Sequence, residues 1–295
     1  MSTDHDVAVF EAHRPALIAL AYRMLGDMGR AEDITQEAWL RWQARAEHVD
    51  APKAFLLKIV ARLSLNELDS ARARREESRG DRLPEPVDLS DAGLDRVEML
   101  DRISMAFLVL LQRLTPDERA VLLLHDVFDM RHSEIAALLD KSAAACRQLL
   151  TRAREDVAEE RRVLGASQEE HRQLLQAFLR ASRSGEIDPM MELLTEDAVL
   201  IVDTGPGGRR VGRIRNAGRP IVGARRIAAF LAAVRREDTR KTDVMECTLN
   251  GQPAILFMEN GQPSAALLVA VADGRIRHIF VQADPRRLTH VGPLH

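Results

Sequence analysis

Residues 114–154, LTPDERAVLLLHDVFDMRHSEIAALLDKSAAACRQLLTRAR, predict a lead-in helix followed by two helices held at an angle by a tight turn. Thr115-Pro116-Asp117-Glu118 is a helix start: Thr115 caps, Pro116 sits where no backbone donor is needed, and Glu118 reaches back to complete a capping box. Val121, Leu122, Leu124 and Val127 recur at helical spacing until Asp129-Met130-Arg131-His132 interrupts them. Ser133 is expected to cap a short helix over Glu134 to Leu139, Asp140-Lys141 to make the turn, and Ser142 to cap a helix running to about Arg154. On that last helix Cys146, Leu149, Leu150 and Ala153 fall together, whereas Arg147, Gln148, Thr151 and Arg154 project elsewhere. Lys141, Arg147, Arg152 and Arg154 are basic, and no acidic residue lies between Lys141 and Arg154. A short helix, a tight turn and a helix with a basic, hydrogen-bonding outer face can read a major groove. An ordinary helical hairpin with a solvated face would show the same pattern.

The chain of 295 residues is long enough for two or three domains. A formal net charge of -3 makes bulk attraction to nucleic acid weak, so any DNA contact must come from local basic faces. Charge is segregated: Arg72-Ala73-Arg74-Arg75 is basic and Asp27 to Glu37 is acid-rich. Two cysteines, Cys146 and Cys247, lie far apart without metal-ligand spacing, which argues for a reducing compartment and against a disulfide or zinc framework. The longest apolar runs, such as Ile227 to Val234, are about eight residues against the ~20 needed to span a bilayer. The acidic start Met1-Ser2-Thr3-Asp4 does not resemble a signal peptide. A cytoplasmic protein without membrane contact, metal or cofactor is expected.

Residues 8–75 read as almost continuous helix, broken at Gly26-Asp27. In the helix from about Arg30 to Arg45, Ala31, Ile34, Ala38 and Trp42 lie on one side and Asp33, Gln36 and Glu37 on another, leaving the second face to a partner or to solvent. The next helix, Ala51 to about Arg75, buries Phe55, Leu56, Ile59, Val60 and Leu63 and then turns polar with Asn66, Glu67 and Asp69 before ending in Arg72, Arg74 and Arg75. Packing at one end and phosphate contact at the other is one reading; a solvated helix end is the alternative. Residues 76–93 have linker composition, and Pro84 and Pro86 force an extended course, so this segment is expected to space two helical modules rather than join a core. Helix resumes at about Leu94.

Four motifs in this order carry a resemblance to the extracytoplasmic-function (ECF) sigma factors of the sigma-70 family, over residues 8–160. The segment Ala21-Tyr22-Arg23-Met24-Leu25-Gly26, followed by Ala31-Glu32-Asp33-Ile34-Thr35-Gln36-Glu37, resembles the part that grips core RNA polymerase. Ala61-Arg62-Leu63-Ser64-Leu65-Asn66 stands where that family opens and reads the promoter -10 element. Leu114 to Arg119, Ser133-Glu134-Ile135-Ala136 and Cys146-Arg147-Gln148-Leu149 resemble the module that reads the -35 element. The resemblance implies that Asp33, Gln36 and Glu37 meet the clamp helices of the largest polymerase subunit through charge-assisted hydrogen bonds. Arg62 and Asn66, with Arg72, Arg74 and Arg75, would meet the -10 DNA; Ser142, Arg147, Gln148 and Thr151 the -35 DNA; and Arg152 and Arg154 its phosphates. Glu67 and Asp69 depart from the pattern, standing where basic residues are common in relatives.

Residues 168–288 lie beyond such a minimal factor. Glu169 to Arg183 reads as an amphipathic helix, Pro189 to Leu194 as a short one, Ala198 to Val202 as a strand, and Ala224 to Arg235 as another helix. Strand-like runs follow near Asp243-Leu249, Ala254-Glu259, Ala265-Ala272 and Arg275-Gln282, with Asn250-Gly251, Asn260-Gly261 and Asp273-Gly274 as hairpin turns. Helices followed by a meander of strands predict an α+β cone around a pocket. This part resembles the SnoaL-like domains of the nuclear transport factor 2-like superfamily, whose fusion to an ECF sigma factor marks a subgroup, the sigma J type. Its linker motif Trp-Leu-Pro-Glu-Pro is here Arg82-Leu83-Pro84-Glu85-Pro86, its glycine loop is Asp203-Thr204-Gly205-Pro206-Gly207-Gly208-Arg209, and its terminal motif is Ala283-Asp284-Pro285-Arg286-Arg287-Leu288.

The fold class expected is therefore multi-domain: two all-α helical sigma modules, residues 1–75 and 94–162, the second with a helix-turn-helix, then an α+β SnoaL-like cone over 168–288. The resemblance implies a factor that binds core RNA polymerase and promoter DNA, monomeric when free and without chemistry of its own. The cone is expected to modulate it in cis, with Leu83, Pro84, Glu85, Pro86, Asp203, Gly205, Gly207, Gly208, Asp284, Pro285 and Leu288 as the regulatory contact. Tethering favours such a contact, giving an effective concentration near millimolar for a short linker. Two alternatives remain: a one-component DNA-binding regulator with a small-molecule ligand in the cone, and an enzyme using Asp203 with His278 as its base.

Overall fold

The computed structural model describes residues 3–45, 49–75, 82–89, 104–158, 167–206, 208, 210–211, 214–215, 219–238 and 240–291. The expectations for residues 76–81 and for helix from about Leu94 lie outside these. The chain divides into two compact units, Met1–Arg79 with Gly93–Leu100 and Leu110–Glu159, and Gly80–Ala92 with Asp101–Val109 and Glu160–His295.

The first unit is helical: α1 (Thr3–Leu25), α2 (Met28–Gln43), α3 (Pro52–Arg75), the second half of α4 (Met105–Arg113), α5 (Pro116–Asp126), α6 (His132–Leu139) and α7 (Ala143–Ala158). Gly26, at φ 68, ends α1, and the Asp27 carboxylate caps α2 by accepting from the Arg30 amide at 3.0 Å. Leu17, Leu20, Tyr22, Met24, Trp42, Leu56 and Leu57 are buried. The capping box at Thr115 forms, with Glu118 Oε2 accepting from the Thr115 amide at 3.0 Å and Thr115 Oγ1 from the Glu118 amide at 3.3 Å. Ser133 does not cap α6. The helix starts two residues earlier, at His132, because Glu134 reaches back to the Arg131 amide at 3.0 Å and makes Arg131 the capping position. Asp140 turns the chain in the left-handed region at φ 53, and Ser142 Oγ caps α7 by accepting from the Ala145 amide at 3.1 Å. The helix runs a turn past Arg154 because Val157 continues the buried face of Cys146, Leu150 and Ala153. Arg119 is buried and donates to the Leu111 carbonyl at 2.8 Å, to that of Leu114 and to that of Met24, tying together the C-terminal ends of α1 and α4.

The second unit begins with α8 (Gln168–Ser184) and α9 (Ile187–Glu192), then β1 (Leu194–Asp203), β2 (Arg210–Val211), β3 (Ile214–Arg215), β4 (Ile221–Val222) and α10 (Ala224–Glu237). It ends with β5 (Asp243–Leu249), β6 (Gln252–Glu259), β7 (Gln262–Ala272), β8 (Arg275–Gln282) and a 3-10 turn at Pro285–Arg287. Leu194 opens a strand rather than closing a helix. Six strands form one sheet in the order β4-β1-β8-β7-β6-β5. Strands β5 to β8 are the expected meander, and Asn250, Asn260 and Asp273 adopt φ of 53, 54 and 51 at its turns. The β1–β8 pair is parallel, a long-range pairing that no local pattern reports.

Helices α8 and α10 cover one face of the sheet, with Leu175, Phe178 and Ile227 against Leu200, Ile255, Val269 and Ile279. On the other face Leu256, Leu268 and Phe280 alternate with the small Ala254, Ala266 and Ala270, and the room these leave is filled by Leu83, Met105, Ala106, Leu288 and Val291. Residues 82–89 thus join a core instead of spacing modules. The prolines hold the course extended, but Leu83, Val87 and Leu89, 2%, 1% and 6% exposed, form a buried stripe, each large side chain contributing ~2 kcal/mol.

Candidate functional site

On α2, Ala31, Ile34, Ala38 and Trp42 are buried while Asp33 and Gln36 are exposed and Glu37 is half-buried. Glu37 pairs with Arg41 at 2.9 Å on the same face, a solvated contact that a stronger partner can replace. On α3, Arg62 and Asn66 are exposed one turn apart, beside Asp69 and Ser70. Glu67 pairs with Arg30 of α2, so one of the two acidic departures on this helix is offset by a cation in the same unit. The backbone of α3 continues through Arg72, Arg74 and Arg75, whose side chains lie outside the described residues.

The basic residues at and along α7 divide into two sets. Lys141 pairs with Asp117 at 2.9 Å, and Arg154 holds Asp126 through two bonds of 2.6 and 3.0 Å, both acids belonging to α5. These pairs staple α7 and the turn before it to α5. Burial would push the Asp126 carboxyl up, but hydrogen bonds from Arg154 and His125 outweigh it and hold the pKa below its ordinary value. Arg147, Gln148, Thr151 and Arg152 remain on the exposed side, with Thr151 Oγ1 returned to the Arg147 carbonyl at 3.0 Å. His132 is held below its usual pKa first by burial and then by the charges of His125, Arg147 and Arg154, which the Asp126 carboxylate opposes. Sequence periodicity does not distinguish the stapling cations from Arg147 and Arg152, because the acids that bind Lys141 and Arg154 sit 24 and 28 residues away in the chain.

The Asp126–Arg154 pair yields a pH prediction. A carboxyl whose folded pKa is depressed contributes stability that is complete above its unfolded pKa and is lost as pH falls through the folded one. Asp126→Asn is therefore expected to lower stability by about 1 kcal/mol near neutral pH and by progressively less in the acid range, read as the gap between the two unfolding curves against pH. A gap that stays constant with pH would contradict the assignment.

In the second unit the extended segment 82–89 is held at every step. Asp203, itself buried, accepts from the Leu83 amide at 3.0 Å through Oδ2, from Gln282 Nε2 at 3.3 Å and, through Oδ1, from the Gly205 amide at 2.9 Å. Arg82 pairs with the buried Asp284 at 2.6 Å, and Arg287 donates to the Leu83 carbonyl at 2.7 Å. The buried Glu85 carboxylate accepts from Thr289 Oγ1 at 3.3 Å and lies 2.7 Å from His290 Nδ1. Burial raises the Asp284 carboxyl, and the Arg286 bonds and the charges of Arg286 and Arg82 more than reverse it, keeping it ionised. Leu83, Pro84, Glu85, Pro86, Asp203, Gly205, Asp284 and Leu288 are thus brought together in this unit. Pro285 is exposed, Gly208 faces open space, and Gly207 lies outside the described residues. Arg287 falls within the tail Asp284 to Leu288 expected to make this contact, whereas the sequence does not single out Arg82, Thr289 and His290; their only signal is nearness to the linker and terminal motifs.

Asp203 and His278 do not form an acid–base pair. Adjacent strands place Asp203 opposite Gln282 and Val199 opposite His278, four residues away along the strand or ~13 Å, and the Asp203 oxygens are taken by three donors.

Residues 9–74 match the model of Sigma-70 region 2 and residues 104–157 that of Sigma-70, region 4. The chain is 33% identical over 289 residues to the probable ECF RNA polymerase sigma factor SigI of Mycobacterium tuberculosis, covering 95% of this chain and 94% of that protein. It is 36% identical over 233 residues to the ECF RNA polymerase sigma factor SigJ of the same organism, covering 77% of this chain and 72% of that one. The crystal structure of Mycobacterium tuberculosis SigJ superposes with a TM-score of 0.73 at 29% identity, covering 98% of this chain and all of the other.

Proposed function

The chain belongs to the ECF sigma factors of the sigma-70 family, and from that membership we propose that it makes core RNA polymerase promoter-specific while the C-terminal domain modulates it in cis. The supporting observation is a pair of solvent faces of opposite chemistry, Asp33, Gln36 and Glu37 on α2 and Arg147, Gln148, Thr151 and Arg152 on α7, each backed by buried apolar side chains. The acidic face docks on the polymerase clamp helices. Arg62 and Asn66, with Arg72, Arg74 and Arg75 beyond them, meet the -10 strand, whose unpaired bases present edges hidden in a duplex. Arg147, Gln148 and Thr151 read -35 base edges, Arg152 holds a phosphate, and Ser142 and Arg154 keep α7 in register for them. The sheet face opposite α8 and α10 is covered by Leu83 and Met105, so a small molecule binding that face would have to displace them. Bond making is left to the polymerase.

Run-off transcription with purified core polymerase tests the reading. Arg147→Ala is expected to reduce transcription from a template with an intact -35 element about tenfold and to leave a scrambled -35 template unchanged, since one base contact is worth ~1–3 kcal/mol of discrimination. DNA binding by the protein without any association with core polymerase would transfer the function to a one-component regulator.

A further inference from the structure

The turn between β5 and β6 departs from an ordinary hairpin tip. An Asn-Gly pair in the left-handed region, at φ 53 and 68, closes a two-residue hairpin loop, which is normally solvated. Here Asn250 is 1% exposed and Gln252, just past the turn, 7%. The Asn250 amide donates to the Val87 carbonyl at 2.8 Å while its side-chain Oδ1 accepts from the Val87 amide at 3.2 Å, so both backbone groups of one linker residue are held by one asparagine. Two residues on, Gln252 Oε1 accepts from the Met105 amide at 3.2 Å, satisfying a donor that the first turn of α4 cannot satisfy itself, and its Nε2 is fixed on the Val269 carbonyl at 3.0 Å. None of the three motifs that mark the subgroup includes this turn.

The turn therefore grips the chain twice, at Val87 and at Met105, on sites two residues apart. The 17 residues 88–104 between the grips span about 60 Å of contour at ~3.3–3.6 Å per residue. With both ends fixed on one turn, that contour is withdrawn from the tether joining the -10 and -35 modules. The two elements are centred about 25 base pairs apart by their names, ~85 Å of B-form DNA at 3.4 Å per base pair, so 60 Å of slack is a large share of the reach.

We propose that Asn250 and Gln252 are positioning residues that set the promoter spacer length the factor accepts, by clipping Val87 and Met105 to one turn of the C-terminal domain. The inference rests on the sigma-factor reading and goes beyond it, since that reading fixes no spacer. Asn250→Gly keeps the positive φ and removes the side chain that carries the Oδ1 acceptor; Gln252→Met keeps the volume and removes both polar atoms. In the double variant of the full chain, the Val87 and Met105 amides are expected to exchange with solvent at least tenfold faster.

Run-off transcription with core polymerase, on templates whose spacer is lengthened or shortened by one to three base pairs, should show wild type with a single preferred length. The double variant should gain about three- to tenfold on off-length templates while staying within about twofold at the preferred one, and Asn250→Asp, which keeps the acceptor, should retain the wild-type profile. Slow exchange of both amides in the double variant, or fast exchange with an unchanged length profile, would each overturn the proposal. Promoter-independent behaviour of the wild type would instead overturn the underlying sigma assignment.

Discussion

Asp33→Lys with Glu37→Lys is expected to weaken association with core polymerase by about a hundredfold or more, ~3 kcal/mol, and to abolish promoter-dependent run-off transcription. Two anions become cations on a face whose proposed partner is basic, so two charge-assisted hydrogen bonds are exchanged for repulsions. The fold should tolerate the change. Asp33 is exposed, Glu37 makes, among the described residues, the surface pair with Arg41, and the buried side of α2 is carried by Ala31, Ile34, Ala38 and Trp42. A pull-down on core polymerase together with a melting curve separates the outcomes. Lost association with an unchanged melting temperature is the expected result, and retained association would remove α2 as the docking face. DNA binding by the isolated variant should match wild type, because α7 contributes none of the substituted groups.

The parts of this molecule that sequence discloses are those set by neighbours along the chain. The Thr115 capping box, the buried stripe of α7 and the three positive-φ hairpin turns each arise within a few residues and are readable from composition and spacing. What sequence conceals depends on distant partners. The linker prolines announce an extended course equally well for a solvated spacer and for a segment seated on a sheet; only the alanines of β6 and β7, which leave room for Leu83 and Met105, decide between them. Arg154 looks like a phosphate holder, and Lys141 like one more cation of a basic face, until Asp126 and Asp117 are seen beside them. Asn250 reads as a turn former because Asn-Gly is one, and its second task, holding Val87, leaves no local mark.

Gly205→Ala is expected to destabilise the C-terminal domain by about 3 kcal/mol and to free the linker. Two costs add. The backbone at Gly205 has φ 72, where a Cβ is strained by ~1 kcal/mol, and that Cβ would lie 2.4 Å from Oδ2 and 2.6 Å from the carboxyl carbon of Asp284. Asp284 cannot swing aside cheaply, because it is 2% exposed and fixed by Arg82 at 2.6 Å and by the Arg286 amide at 3.2 Å. Moving it releases Arg82, shifts the 3-10 turn that places Arg287 on the Leu83 carbonyl, and disturbs the loop whose Gly205 amide steadies Asp203 under the Leu83 amide. The loss therefore propagates from one loop to the whole seat of the linker. Denaturant unfolding should show a lower midpoint for the variant, and amide exchange at Leu83 should accelerate with it. Gly208→Ala serves as the control: Gly208 also has a positive φ, 63, but its Cβ would meet nothing within 4 Å, so only the backbone strain of ~1 kcal/mol should appear and Leu83 should stay protected. Equal effects at the two glycines would show that loop strain alone, and not the contact with Asp284, governs the seat.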